Sequence, residues 1–301
     1  MSKRILLFLL SNLAAALTVC VVVAILGAVG FARVPTDLPL PWVALGSVVW
    51  GVSGGLLSLL LSRWFAKKAL GVRLLDGKSG DNDLDWTFVC IQDLAQRDKL
   101  PMPEVGVYES SEVNALATGS GRKRSLVAVS SGLVRNMSRH ELTAVLGHEM
   151  THIANGDMVT MTLLQGVVNA FVLSFARVAV SLVRRKSTGA IVAAVALTVR
   201  VVLEVVLGML AGMIAASFSR RREFRADAGA AELVGRAHVL AALRQLVRTR
   251  ERIDGSQPAL TCFKTSGGAG WFYALATHPP LEKRIAALEQ PPPQAATQGA
   301  V

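Results

Sequence analysis

His148-Glu149-Met150-Thr151-His152 sits inside the run Ser138-Arg-His-Glu-Leu-Thr-Ala-Val-Leu-Gly-His-Glu-Met-Thr-His-Ile-Ala-Asn155. Leu142, Val145, Leu146, Met150 and Ile153 recur with the period of a helix. Ser138 followed by Glu141 is a capping box, so the run predicts a helix that starts at Ser138 and holds the five-residue string well inside it. Residues four apart share a helical face, and His148 and His152 can aim two ring nitrogens at one metal ion. Beside that face, the Glu149 carboxylate can take a proton from a water that attacks a peptide carbonyl and hand it to the leaving amine. The plain alternative is a surface helix that carries two histidines by chance. His140, about two turns before His148, is predicted to face solvent in a structural role rather than to serve as a third ligand.

Working outward, a membrane-length apolar segment follows this helix directly. The chain has 301 residues, 52% of them hydrophobic, with a mean hydropathy of +0.45, too apolar for an ordinary soluble protein. Cys20, Cys90 and Cys262 are far apart and odd in number, which suggests neither a disulfide framework nor a cysteine metal cage and fits a reducing compartment. The net charge of +11 arises from Lys and Arg clustered beside hydrophobic runs. That placement favours anchoring at a membrane surface, and no nucleic-acid partner is expected.

Four runs, 5–31, 40–61, 158–183 and 190–218, exceed the roughly 20 helical residues needed to cross a bilayer. The first is too long for a cleaved signal peptide and reads as a retained anchor. Lys3 and Arg4 precede it, and Arg63, Lys67, Lys68 and Arg73 follow the second run; the connection between them holds only Arg33 against Asp37. The bias places the N-terminus and the domain after residue 63 on the cytoplasmic side. Arg184-Arg185-Lys186 conflicts with that orientation if both later runs span fully, so a shallow or re-entrant hairpin stays open beside a spanning one.

Between about 67 and 156 the pattern is mixed. Residues 85–97 read as an amphipathic helix, Leu100-Pro-Met-Pro103 breaks the chain, and 105–108, 113–118 and 126–130 read as short strands. The expected fold class is a mainly α membrane protein of about four membrane helices, with an α+β peptidase-like domain whose small antiparallel sheet lies beside the 138–155 helix. An extended substrate can add to the edge of such a sheet as a further strand. Asn114-Ala115 lies on the candidate edge strand, with an ordinary turn or strand Asn as the alternative.

A catalytic metal needs a third protein ligand and an open position. After the fourth apolar run comes Ser219-Arg-Arg-Arg-Glu-Phe-Arg-Ala-Asp227, which continues as a helix-favouring stretch. Glu223 and Asp227 share a helical face. Glu223 can ligate while Asp227 accepts the outer N–H of a ligand histidine; the alternative is that both pair with Arg221 and Arg225 on a solvated face.

These stretches, with Val113-Asn-Ala-Leu-Ala-Thr-Gly119, Leu126-Val-Ala-Val-Ser-Ser-Gly-Leu133, Ile153-Ala-Asn-Gly-Asp-Met-Val-Thr-Met161, Arg221-Arg-Glu-Phe-Arg-Ala-Asp-Ala228 and Thr277-His-Pro-Pro-Leu-Glu-Lys-Arg-Ile285, are spread over nearly the whole chain. In order and hydrophobic layout the chain resembles the HtpX-type membrane zinc metallopeptidases, bacterial relatives of the CaaX prenyl proteases within the gluzincin group. The resemblance implies that His148, His152 and Glu223 bind one Zn2+ per subunit, that Glu149 is the general base, and that Asp227 supports a ligand. Gly147, Met150 and Thr151 occupy positions where the motif tolerates variation. It further implies an endopeptidase of the bacterial inner membrane, acting from the cytoplasmic side on damaged or misassembled membrane proteins, often under stress. Its partners would be the membrane and unfolded protein substrates, with room for association with other membrane quality-control proteases. In related peptidases a His six residues before an Arg lies near the scissile carbonyl, which makes His278 and Arg284 candidates for oxyanion stabilisation. Alternatively His278-Pro279-Pro280 simply starts a helix whose exposed side carries Arg284.

The expected organisation is two membrane helices in 1–66, a first peptidase part in 67–157, a hydrophobic hairpin in 158–218, a second peptidase part in 219–290 and a disordered tail in 291–301. Gln165, Asn169, Arg177, Arg200 and Glu204 lie at membrane depth, where snorkelling and helix pairing are the reading preferred over a polar substrate groove. Residues 252–271 are expected to form a mobile loop over the cleft. A membrane adaptor or holdase with a structural zinc is the competing function. Glu149 argues against it, because a structural site has no use for a base. A transporter finds support only in the intramembrane charges, without an internal repeat.

Overall fold

A computed structural model describes residues 40–184, 189–255 and 276–290. The anchor expected at 5–31, the basic pair Arg185-Lys186 and the tail at 291–301 lie outside the described residues. The chain divides into two compact units, 1–46 and 47–301. The described part of the first is the opening of helix α1, Leu40–Ala69. Its 30 residues make a rod of about 45 Å.

After α1 come β1 (Arg73–Leu74), α2 (Asn82–Arg97), β2 (Glu104–Tyr108), β3 (Ala115–Gly121), β4 (Arg124–Ser130), α3 (Ser131–Asn136) and α4 (Arg139–Asn155). Then follow α5 (Asp157–Arg184), α6 (Ala190–Val234), α7 (Arg236–Gly255) and α8 (Leu281–Glu289). Near its end α1 is tied to the sheet: Arg63 and Lys67 each reach Glu104 at 3.0 Å. Residues 252–255 close α7 instead of opening a loop, and the rest of the expected loop lies outside the described residues.

The sheet is mixed rather than antiparallel. Its order is β1-β2-β4-β3, with β2 and β4 parallel and the other two pairings antiparallel. The chain leaves β2, passes through 109–114 to the far side, descends as β3 and returns as β4 into the gap between them. Burial explains the choice of central strand: Leu126-Val-Ala-Val-Ser130 is apolar without alternation and buried at every position, as a strand covered on both faces must be. β3 is left as an edge, paired with β4 alone. Gly119 allows its tight return, because its φ is +143° and a Cβ there would meet the Arg124 carbonyl oxygen.

Against one face of the sheet lie α2 and α4. Ile91 and Leu94 from α2, Val105, Val107, Val127 and Val129 from the strands, and Leu142, Leu146, Met150 and Ile153 from α4 form one buried cluster. Each of its large side chains contributes about 1.5–3 kcal/mol relative to exposure. A second cluster, Ala144, Ala230, Val239, Ala242, Leu243 and Leu288, joins α4 to α6, α7 and α8.

α4 begins with the predicted capping box, in which Ser138 accepts from the Glu141 N–H and the Glu141 carboxylate accepts from the Ser138 N–H. It ends at Gly156, whose left-handed φ of 67° turns the chain directly into α5. The positions between the motif residues are fully engaged in this chain. Met150 is buried in the core, Gly147 lies against Val234, and a Cβ at Gly229 of α6 would stand 2.5 Å from the Thr151 methyl. Small residues thus let α4 and α6 approach closely along the face that carries the histidines.

α5 and α6 form the apolar hairpin. Both are long and apolar enough to cross a membrane, and only 17% and 6% of their most apolar stretches are buried, so their hydrophobic side chains face outward. α6 runs unbroken for 45 residues, about 68 Å, across the expected boundary at 218 and 219. Its first part is apolar, and its last part carries Glu223 and Asp227 and joins the second cluster through Ala230. Within the hairpin Gln165 donates to Asn169 at 3.1 Å and Arg200 to Glu204 at 2.8 Å, which is pairing within single helices.

Candidate metal centre

Three elements converge on one point. α4 presents His148 and His152, α6 lies against it with Glu223, and the stretch before α8 brings His278. The two Nε2 atoms stand 3.1 Å apart, and Glu223 Oε2 and Oε1 lie 3.6 and 3.4 Å from those of His148 and His152. Four donors held at 2.0–2.1 Å around a tetrahedral ion are separated by about 3.3–3.4 Å, so this triangle has the size of one face of such a shell. The His148, His152 and Glu223 donor atoms all lie within 4.8 Å of one another.

A second observation supports the fit. Glu223 is 1% exposed, yet its Oε1 has no hydrogen-bond partner. Arg222 NH2 stands 3.7 Å from that oxygen, too far for a hydrogen bond, and a buried carboxylate oxygen without one is costly unless a closer cation completes it. Two imidazoles and a carboxylate are also the donor set that zinc accepts.

The outer nitrogens of both rings are committed. His148 Nδ1 donates to Asp227 Oδ1 at 3.0 Å, which fixes Nε2 as the nitrogen facing the centre. Burial works against a charged His148, but the Asp227 and Glu223 carboxylates outweigh it and its pKa is pushed up to about 9. His152 Nδ1 donates to Asp157 Oδ2 at 2.7 Å. Burial again opposes its charge, and Asp157 and Glu223 raise its pKa.

Arg284 departs from the reading that puts it on the exposed side of its helix. It is 9% exposed, and its Nε and NH2 donate to the two oxygens of Asp227 at 2.7 and 2.5 Å. The guanidinium is therefore held by Asp227 and not on the exposed side of its helix, while its NH1 lies 3.7 Å from Glu223 Oε2 in the cleft. The nine-residue helix offers too few turns for its sequence to show which face packs. His278 reaches Glu223 Oε2 through Nδ1 at 2.9 Å with its ring largely exposed. Arg220 steadies the approach to it by donating to the Ala276 carbonyl at 2.8 Å.

Glu149, His278, Arg284, Asn114 and Ala115 line one cleft with His148 and Glu223, a cavity of ≈ 170 Å³. Ala115 opens the edge strand β3, which packs beside α4. Asn114 precedes the strand, and its carbonyl accepts from the Ser130 N–H at 2.9 Å. His140 lies apart from the centre, exposed and stacked on His238 with ring centroids 5.0 Å apart. Sequence reasoning missed Asp157 and its partner Arg225, whose NH2 donates to Asp157 Oδ1 at 3.0 Å. The available signal was an acidic residue directly after the glycine that ends the histidine helix.

Residues 86–291 match the profile described as Peptidase family M48. The chain is 43% identical over 298 residues to Protease HtpX of Tolumonas auensis, across 96% of this chain and 99% of that protein. To the Protease HtpX homolog of Verminephrobacter eiseniae it is 46% identical over 304 residues, across 95% and 98%. The crystal structure of S. mikatae Ste24p matches with a TM-score of 0.65 at 20% identity, over 96% of this chain and 67% of that one. That last likeness is one of fold.

Proposed function

The chain belongs to peptidase family M48, and on that premise we propose that it is a membrane-bound zinc endopeptidase that cleaves unfolded or damaged membrane proteins at the cytoplasmic face. The observation that carries the reading is the triangle of His148, His152 and Glu223 donors beside Glu149 in one cleft. These three residues would hold the metal. When bound, zinc supplies Lewis-acid polarisation of the scissile carbonyl and makes water easier to deprotonate.

The rest falls to the chain's own groups. Glu149 takes the proton of the attacking water and returns it to the leaving amine nitrogen. The free edge of β3 from Ala115 onward would offer backbone groups to an extended substrate and so fix the scissile bond against α4, while the backbone of Asn114 beside it is bonded to Ser130. His278, in the same cleft, would turn its Nδ1 proton from Glu223, to which it is bonded, to the carbonyl oxygen as charge develops there. Arg284 acts through Asp227 and so holds His148 in orientation. Apolar hairpin helices next to the cleft favour substrates that arrive from the bilayer, and the runs at 5–31 and 40–61 would bring the membrane segments to four in the bacterial inner membrane.

The test compares wild type with Glu149→Gln for zinc content and for cleavage of an unfolded membrane protein. Equal zinc with cleavage reduced by at least about 100-fold is the expected result. Equal cleavage by the two would remove Glu149 from the reaction and favour an adaptor that holds substrates without cutting them.

A further inference from the structure

Asp157 is the first residue of α5 and is 1% exposed. An acidic residue in a first helical turn ordinarily serves the helix, by capping its N–H groups or meeting its dipole. Here the Gly156 carbonyl already accepts from the Val159 and Thr160 N–H groups, at 3.1 and 3.2 Å. Both Asp157 oxygens turn to side chains instead: Oδ2 to His152 Nδ1 at 2.7 Å and Oδ1 to Arg225 at 3.0 Å. The left-handed Gly156 makes this possible, because it folds the start of α5 back onto the last turn of α4.

We propose that Asp157, held by Arg225, is the positioning residue of His152: it accepts the Nδ1 proton, fixes the ring's rotation and keeps the Nε2 lone pair on the metal. An ionised carboxylate only accepts hydrogen bonds, so the nitrogen facing it carries the proton and the other nitrogen is free to ligate. The site then has two parallel supports. His148 is held by Asp227 and through it by Arg284 of α8; His152 is held by Asp157 and through it by Arg225 of α6. The second support ties one metal ligand to the first residue of the apolar hairpin, so the metal's hold on His152 depends on how α5 and α6 sit against each other. This inference rests on the metal reading of the previous subsection.

The test uses the full chain purified in detergent, stripped of metal and titrated with Zn2+ in competition with a chromophoric chelator. A parallel titration with Co2+ reports the ligand field through its visible absorption. Wild type is expected to bind one equivalent. Asp157→Asn keeps the side-chain shape but loses the charge that orients His152, and is expected to weaken Zn2+ binding about 10–100-fold and to alter the Co2+ spectrum while circular dichroism stays unchanged. Arg225→Gln removes a largely exposed side chain and is expected to weaken binding less, in the same direction; it also serves as the test if Asp157→Asn does not fold. Wild-type affinity and an unchanged Co2+ spectrum in every variant that folds overturn the inference alone. Absence of bound metal in the wild type overturns the metal reading and this inference with it.

Discussion

At Glu223 one buried carboxylate faces three imidazoles, and two of them, His148 and His152, are secured by a further carboxylate. Arg284 in turn holds the first of these carboxylates. Its bond to Asp227 lies out of water, where breaking a pair by removing one partner costs about 3–5 kcal/mol because the remaining charge is stranded. Arg284→Met is therefore expected to destabilise the fold by about that amount, read as a lower thermal transition in detergent, and adding Asp227→Asn should recover part of the loss. Lost cleavage at unchanged stability would instead return Arg284 to the substrate side of the cleft. The residues that form the donor triangle were legible in the sequence, because helical spacing alone puts His148 and His152, or Glu223 and Asp227, on one face. Their supports were not. The Asp157 to Arg225 bond joins residues 68 positions apart, and an acidic residue opening a helix already has an ordinary explanation.

Among the elements, α4 and α6 set the site by how closely they approach. Glu223 meets the histidines only because Gly229 lies against Thr151, whose hydroxyl is in turn held by the Gly147 carbonyl at 2.8 Å. With that β-branched side chain buried and bonded, a methyl at Gly229 must push the helices apart rather than displace a flexible chain end. Gly229→Ala is expected to cost about 1–3 kcal/mol through overpacking and to lower zinc affinity by moving Glu223 away from the Nε2 pair. A variant with wild-type zinc affinity would show that the approach of these helices does not set the metal geometry. The helices were readable from periodicity and caps, whereas the order of the sheet was not. Strand signals locate residues that pair but not their partners, and only the unalternating run at 126–130 hinted that β4 belongs in the centre.

For the molecule as a whole, the open question at sequence level was whether the hairpin crosses the bilayer or turns back within it. A turn at mid-depth would stop each helix after about 10 residues. α5 and α6 remain helical and outwardly apolar far beyond that, with Phe171, Phe175, Leu182, Ile191, Leu197 and Val201 all exposed. Each such side chain left in water forgoes about 1.5–3 kcal/mol. Opposing this, placing Arg184, Arg185 and Lys186 on the far side costs about 2.3 kcal/mol per charge at 100 mV, roughly 7 kcal/mol for the three, less than six apolar side chains supply together. A spanning hairpin is therefore expected despite its basic turn. The check uses single cysteines in a background without Cys20, Cys90 and Cys262, one at Ser187 between the two helices and one at exposed Ser79 in the peptidase part. A membrane-impermeant maleimide should reach Ser187→Cys and Ser79→Cys from opposite faces of sealed vesicles. Labelling of both from one face would reject spanning, and would mean that the charge bias outweighs the apolar length of α5 and α6.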